Sequence, residues 1–127
     1  MKKRILLIDD DKDDAEFFED ALHGVDQTVI FEYIHDGREA IRKIMQQELE
    51  IPDIIFLDIN MPFITGWDCL IVIKQQILLQ QVSVIMYSTS NHSYEVTKAA
   101  DMGADDYWIK PHSIKVLRNQ LAALLNS

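Results

Sequence analysis

Short runs of consecutive apolar residues recur along this chain, separated by stretches in which apolar residues return every three or four positions. Ile5-Leu6-Leu7-Ile8 leads into Asp9-Asp10-Asp11, and Ile54-Ile55-Phe56-Leu57 leads into Asp58. Residues 82–87 lead into Ser88-Thr89-Ser90, and Tyr107-Trp108-Ile109 leads into Lys110-Pro111. Continuous apolar runs of this length read as strands buried on both faces. Residues 28–34, rich in β-branched and aromatic side chains, predict one more strand.

The intervening stretches predict helices. Residues 11–22 set Ala15, Phe18, Ala21 and Leu22 on one face, with acids in the first turn where the helix dipole favours them and Gly24 as the expected stop. Asp36 is expected to cap a second helix that carries Ala40, Ile41, Ile44 and Met45 inward up to about Leu49, before Pro52 breaks it. A third helix is predicted over residues 66–76. A fourth, over 94–102, takes Asn91 or Ser93 as its cap and Gly103 as its stop, and Ser113 caps a last helix to about Leu125.

Strand then helix, five times over, predicts an α/β fold, a doubly wound five-stranded parallel sheet joined by right-handed crossovers. At 127 residues, with no composition shift, linker or repeat, the expectation is a single domain over residues 1–127 with no output domain. Ligands of such sheets bind beyond the carboxyl ends of the strands, where these polar groups are delivered.

Composition narrows the classes of function. Twelve basic against 21 acidic side chains give a formal charge of −9, which argues against binding nucleic acid or an anionic membrane. The lone cysteine, Cys69, sits in an apolar stretch and reads as a packing residue in a reducing compartment. The four apolar residues after Met-Lys-Lys-Arg are too few for a signal peptide, and no apolar run reaches membrane-spanning length. A soluble, cytoplasmic protein is expected.

Asp9 and Asp10 end the first strand and Asp58 the third. If those strands are neighbours, three carboxylates share one small volume. Two unit charges ~4 Å apart repel by about 4 kcal/mol at an effective dielectric near 20, so the set calls for a hard dication, and carboxylate oxygens suit Mg²⁺. Asp11 reads as a helix cap. Lys110 suits a phosphoryl oxygen or a carboxylate, with Pro111 fixing the turn that aims it, and the Ser88 hydroxyl can donate to a phosphoryl oxygen. The four histidines have no metal-like spacing. Trp67 is expected to pack in the third helix, Trp108 to face the other side of the sheet from Tyr107, and Phe17 to be a candidate donor-docking residue beside a buried Phe18.

The ordered set of motifs resembles the receiver domain of two-component response regulators. It comprises Ile5-Leu6-Leu7-Ile8-Asp9-Asp10-Asp11, Asp58-Ile59-Asn60-Met61-Pro62 with Gly66 after it, Ser88, Gly103-Ala104 before Tyr107, and Lys110-Pro111. The resemblance implies a flavodoxin-like fold of strand order 2-1-3-4-5. It implies that Asp58 is the phosphoacceptor and that Mg²⁺ is held by Asp10 and Asp58, by the Asn60 backbone carbonyl, and by Asp9 through water. It further implies that Lys110 pairs with Asp58 and then with its phosphoryl group, and that Ser88 and Tyr107 form the switch. Ser88 stands where threonine is more frequent, Thr89 where alanine is usual, and His112 where an apolar residue is common; none removes a required group.

The implied partners are a sensor histidine kinase or a histidine phosphotransfer protein, and a protein target. The expected target surface is the face of the fourth helix, fifth strand and fifth helix, around Tyr94, Lys98, Tyr107 and Lys115. The implied activity is self-catalysed aspartyl phosphorylation and dephosphorylation in a signalling module. Alternative readings are a relay intermediate that passes phosphate to a histidine phosphotransfer protein, a receiver-like scaffold, and a phosphohydrolase of the haloacid-dehalogenase type. The last usually has an acid/base Asp two residues after its nucleophile, where this chain has Asn60.

Overall fold

The computed structural model describes residues 2–126, so Met1 and Ser127, the ends of the expected 1–127 domain, lie outside the described residues. In chain order the elements are β1 (Arg4–Ile8), α1 (Lys12–Val25), β2 (Ile30–Ile34), α2 (Gly37–Met45), β3 (Ile54–Asp58) and α3 (Gly66–Gln75). A 3₁₀ turn at Ile77–Leu79 precedes β4 (Ser83–Ser88), α4 (Ser93–Asp101), β5 (Asp106–Ile109) and α5 (Ile114–Leu125). The strands form one parallel sheet in the order β2-β1-β3-β4-β5, the order the resemblance implied.

Strand residues alternate between faces, and this sorts the core into two layers. Leu6, Ile8, Ile55, Leu57, Val84 and Met86 pack against the buried faces of α2, α3 and α4. Ile5, Leu7, Ile54, Phe56, Ile85 and Tyr87 pack against Ala15, Phe18 and Leu22 of α1 and Leu117 and Leu121 of α5. Every residue of β3 is buried, as its uninterrupted apolar run predicts. Cys69 is fully buried, and burial pushes its thiol up to about 12, in keeping with a packing role.

Caps explain most boundaries, including those the pattern misplaces. Asp11 caps α1 by accepting from the N–H groups of Asp13 and Asp14 at 2.9 and 3.1 Å. Gly24 does not stop that helix. It lies in the last turn, where a Cβ would come within 2.6 Å of Arg118 Nε on α5, so its smallness makes room rather than a turn. α2 ends at Met45, four residues before the expected end, and Met45 is exposed. There Gln47 takes φ 56°, its N–H reaches Ile44 O, and the Glu48 N–H reaches Lys43 O at 2.9 Å. This is a Schellman stop built on glutamine. α4 closes by the same pattern with the expected residue: Gly103 has φ 94°, and the Ala104 N–H reaches Ala99 O at 2.9 Å. Its first residue is Ser93 and its N-cap position is His92, which makes no side-chain cap bond, so neither Asn91 nor Ser93 caps it. Among the described residues no helix is long and apolar enough to cross a membrane.

Candidate functional site

Sheet register brings the strand-end groups together. Ile8 pairs with Leu57, Asp58 with Tyr87 and Ser88 with Ile109, so Asp9, Asp58, Ser88 and Lys110 emerge side by side at one edge. The Lys110 N–H bonds Ser88 O at 2.7 Å and the Asp9 N–H bonds Ile34 O at 3.1 Å, extending the ladder into the site. Asp9, Asp58 and Ser88 are the buried polar residues of the described chain, whereas Asp10 and Asn60 are exposed.

Carboxylate oxygens of Asp9, Asp10 and Asp58 all lie within 4.8 Å of one another. Burial, then the charge of Asp9 and the nearness of Asp10, push Asp58 up to about 8 against the pull of Lys110. Asp58 on its own is therefore not the readily ionised nucleophile that a strand-end aspartate suggests. Burial also raises Asp9, against the Lys110 charge and the Asp11 N–H, which donates to Asp9 Oδ1 at 3.0 Å. Asp9 Oδ2 is buried with the Lys110 ammonium 2.8 Å away as its partner, in an imperfectly aligned contact. Three carboxylates with clustered hard oxygens, and a buried carboxyl held above its ordinary range by its neighbours' charge, are the features a Mg²⁺ would satisfy. The residues present fit that ion.

Lys110 is only 10% exposed at its side chain. Its ammonium lies 2.8 Å from both Asp14 Oδ2 and Asp9 Oδ2, and Asp58 Oδ1 lies at 3.7 Å. Burial alone would lower the ammonium. The contacts with Asp14 and Asp9 and the charge of Asp58 outweigh it and hold Lys110 above its ordinary value. The pairing expected with Asp58 is thus the longest of three, and Asp14 is a member of the site that reading the chain does not single out. Its signal in the chain is its place in the first turn of α1, three residues after the Asp11 cap.

The Ser88 hydroxyl oxygen accepts from the Ser90 N–H at 3.1 Å, and its own hydrogen lies within reach of the Tyr107 hydroxyl. Tyr107 lies half-buried with its single hydroxyl hydrogen within reach of both Ser90 O at 2.8 Å and Glu95 Oε2 at 3.1 Å. Tyr33 donates to Asp9 O at 2.7 Å and steadies the first acidic loop. Phe17 is half-buried beside the α1–α5 core, and Trp108 packs on Phe56 at 5.1 Å, on the opposite face from Tyr107 as expected. Val96 and Ala100 of α4 flank Tyr107, and Lys98, beside Tyr94 on the same helix, sits 4.5 Å over the ring of Trp67.

A family model described as the response regulator receiver domain matches residues 5–122. The response regulator ArlR of Staphylococcus aureus (strain COL) is 31% identical over 122 residues, which is 96% of this chain and 52% of the relative. The chain spans about half the length of the curated relatives it matches. The crystal structure of the phosphorylated cyanobacterial phytochrome response regulator RcpA is similar with a TM-score of 0.86 at 26% identity, covering 98% of this chain and 91% of that one. The Mn²⁺-bound form of the response regulator Rcp1 has a TM-score of 0.83 at 25% identity, covering 96% and 91%.

Proposed function

Because this chain belongs to the response regulator receiver domain family, we propose that it takes a phosphoryl group from a phosphohistidine onto Asp58 and thereby switches a protein-binding surface. The donor is a sensor histidine kinase or a histidine phosphotransfer protein. The observation that carries the reading is Asp58 itself, buried at the strand edge between the Asp9 and Asp10 carboxylates and the Lys110 ammonium. A solved relative described as phosphorylated and another described as Mn²⁺-bound support it.

Phosphoryl transfer asks the protein chiefly for positioning and for neutralisation of oxygen charge. β3 delivers Asp58 as the attacking oxygen. Asp10 and Asp58 through their side chains and Asn60 through its backbone carbonyl would hold Mg²⁺, with Asp9 acting through water. When bound, the ion supplies positive charge that favours the ionised acceptor and offsets the transferring oxygens. Lys110 contributes a second positive charge from the other side. The Ser88 hydroxyl hydrogen serves a phosphoryl oxygen, and Tyr107, tied to the loop carbonyl of Ser90, follows the rearrangement of that loop. The module catalyses its own phosphorylation and dephosphorylation.

Mass spectrometry after treatment with acetyl phosphate and Mg²⁺ is expected to find one base-labile phosphoryl adduct on Asp58. The adduct is expected to be absent in Asp58→Asn and strongly reduced in Asp10→Ala. Labelling to the same extent in chelator would remove the metal from this reading, and labelling of Asp58→Asn would remove the acceptor.

A further inference from the structure

Three carboxylates compete for one buried ammonium. Asp9 and Asp14 each stand 2.8 Å from Lys110 Nζ, and Asp58 stands 3.7 Å away. Asp9 and Asp14 both hold Lys110 at hydrogen-bond distance, Asp14 with the better alignment, whereas Asp58 does not. Asp14 lies outside the three-carboxylate cluster, on the first turn of α1, where its N–H is fixed by the Asp11 cap and Ala15 and Phe18 anchor the helix in the core. Its side chain is 38% exposed, against 7% for Asp58 and none for Asp9. The lysine is therefore held by Asp9 and Asp14 rather than by the acceptor, and of those two only Asp14 reaches solvent.

We infer that Asp14 is a positioning residue that withholds Lys110 from Asp58 and so sets how fast the acceptor is phosphorylated. The inference rests on Asp58 being the acceptor. In the transfer, an Asp58 carboxylate oxygen forms a bond to phosphorus while the donor's bond to phosphorus breaks. The electron pair leaves with the donor; from acetyl phosphate it leaves on acetate. Charge spreads over the phosphoryl oxygens during this step, and an ammonium within hydrogen-bond reach of one of them lowers the barrier. At 3.7 Å Lys110 is beyond hydrogen-bond reach of Asp58. Moving onto the phosphoryl group requires it to loosen the bond to Asp14. A carboxylate adds Coulomb attraction that a neutral amide oxygen lacks, so Asp14→Asn keeps the shape and weakens the hold on the ammonium. Because Asp14 is partly solvated, its release is the least costly of the three.

The test compares initial rates of Asp58 phosphorylation by acetyl phosphate at saturating Mg²⁺ in the full chain. Asp14→Asn is expected to be faster by roughly three- to tenfold, the size expected of one partly solvated charge-assisted hydrogen bond. Asp14→Glu, which keeps a carboxylate, is expected to fall between the two. Asp13→Asn removes the same charge from an exposed neighbour, and its rate is expected to stay near wild type. In a Lys110→Ala background the gain from Asp14→Asn is expected to vanish, since the effect passes through the lysine. Without any phosphodonor, the side-chain ¹⁵N resonance of Lys110 is expected to shift in Asp14→Asn but not in Asp13→Asn. An Asp14→Asn rate at or below wild type overturns the inference, as does an equal gain in Asp13→Asn or a gain that survives Lys110→Ala. A wild-type protein that takes no label at Asp58 would instead overturn the acceptor reading.

Discussion

Burial and the neighbouring Asp9 and Asp10 carboxylates push Asp58 up to about 8, whereas an aspartate in an unfolded chain titrates near ~3.9. Between those values the folded protein holds more protons than the unfolded one, so stability falls as pH rises. The favourable contribution is complete below about pH 4 and is lost on the way to about pH 8. Asp58→Asn removes the titration. At pH 8 without divalent cations it is expected to be more stable than wild type by ~1–3 kcal/mol, with the difference shrinking toward pH 4. Thermal melts of both proteins across that range check this, and a variant less stable than wild type at pH 8 would contradict it. At this scale, Asp9, Asp10, Asp58, Ser88 and Lys110 were legible because each ends an apolar run. Asp14 was not: an acid in the first turn of a helix is ordinary, and its bond to Lys110 spans 96 positions of sequence. The elevation of Asp58 was also hidden, since it depends on burial that no run of letters displays.

Among the elements, the junction of β3 and α3 sets the position of the acceptor. Thr65 and Asp68 form a reciprocal capping box at the start of α3, and Gly66 lies so close to the loop that a Cβ would meet Asp58 O and come within 2.9 Å of Ile59 Cα. These are backbone atoms and cannot swing aside. Gly66→Ala is expected to cost ~1–3 kcal/mol by overpacking, and to slow phosphorylation because the displaced atoms carry Asp58 itself. Denaturant unfolding and the rate with acetyl phosphate check the two parts; an unchanged rate would show that the loop absorbs the methyl group without moving the acceptor. The β1, β3 and β5 positions and the last helix could be read from the chain because runs of apolar residues and a serine cap mark them. The ends of α1 and α2 could not. Glycine at position 24 serves close packing against Arg118, and glutamine at position 47 takes the left-handed place where glycine would have been the signal. The 3₁₀ turn escaped notice for another reason: Ile77 is 86% exposed, so its apolar letters do not report burial.

For the molecule as a whole, the alternation of strand and helix was enough to foresee a doubly wound parallel sheet, but the order of strands came from the resemblance, because parallel pairing leaves no local trace in the chain. That order divides the domain into two packed layers, and the two tryptophans fall one on each side. Trp67 stands in the α2–α3–α4 layer under the Lys98 ammonium, and Trp108 stands in the α1–α5 layer against Phe56, its indole N–H donating to Asp106 at 3.2 Å. An ammonium over an indole perturbs its excited state, and among the described residues Trp67 has one there while Trp108 does not. Lys98→Ala is therefore expected to change the emission of a Trp108→Phe protein and to leave that of a Trp67→Phe protein unchanged. Steady-state fluorescence decides the matter, and equal changes in both would show that the two rings are not optically separate. If they are separate, the chain carries an unlabelled spectroscopic channel for each side of its sheet, so that a displacement of α4 could be timed in one without disturbance from the other.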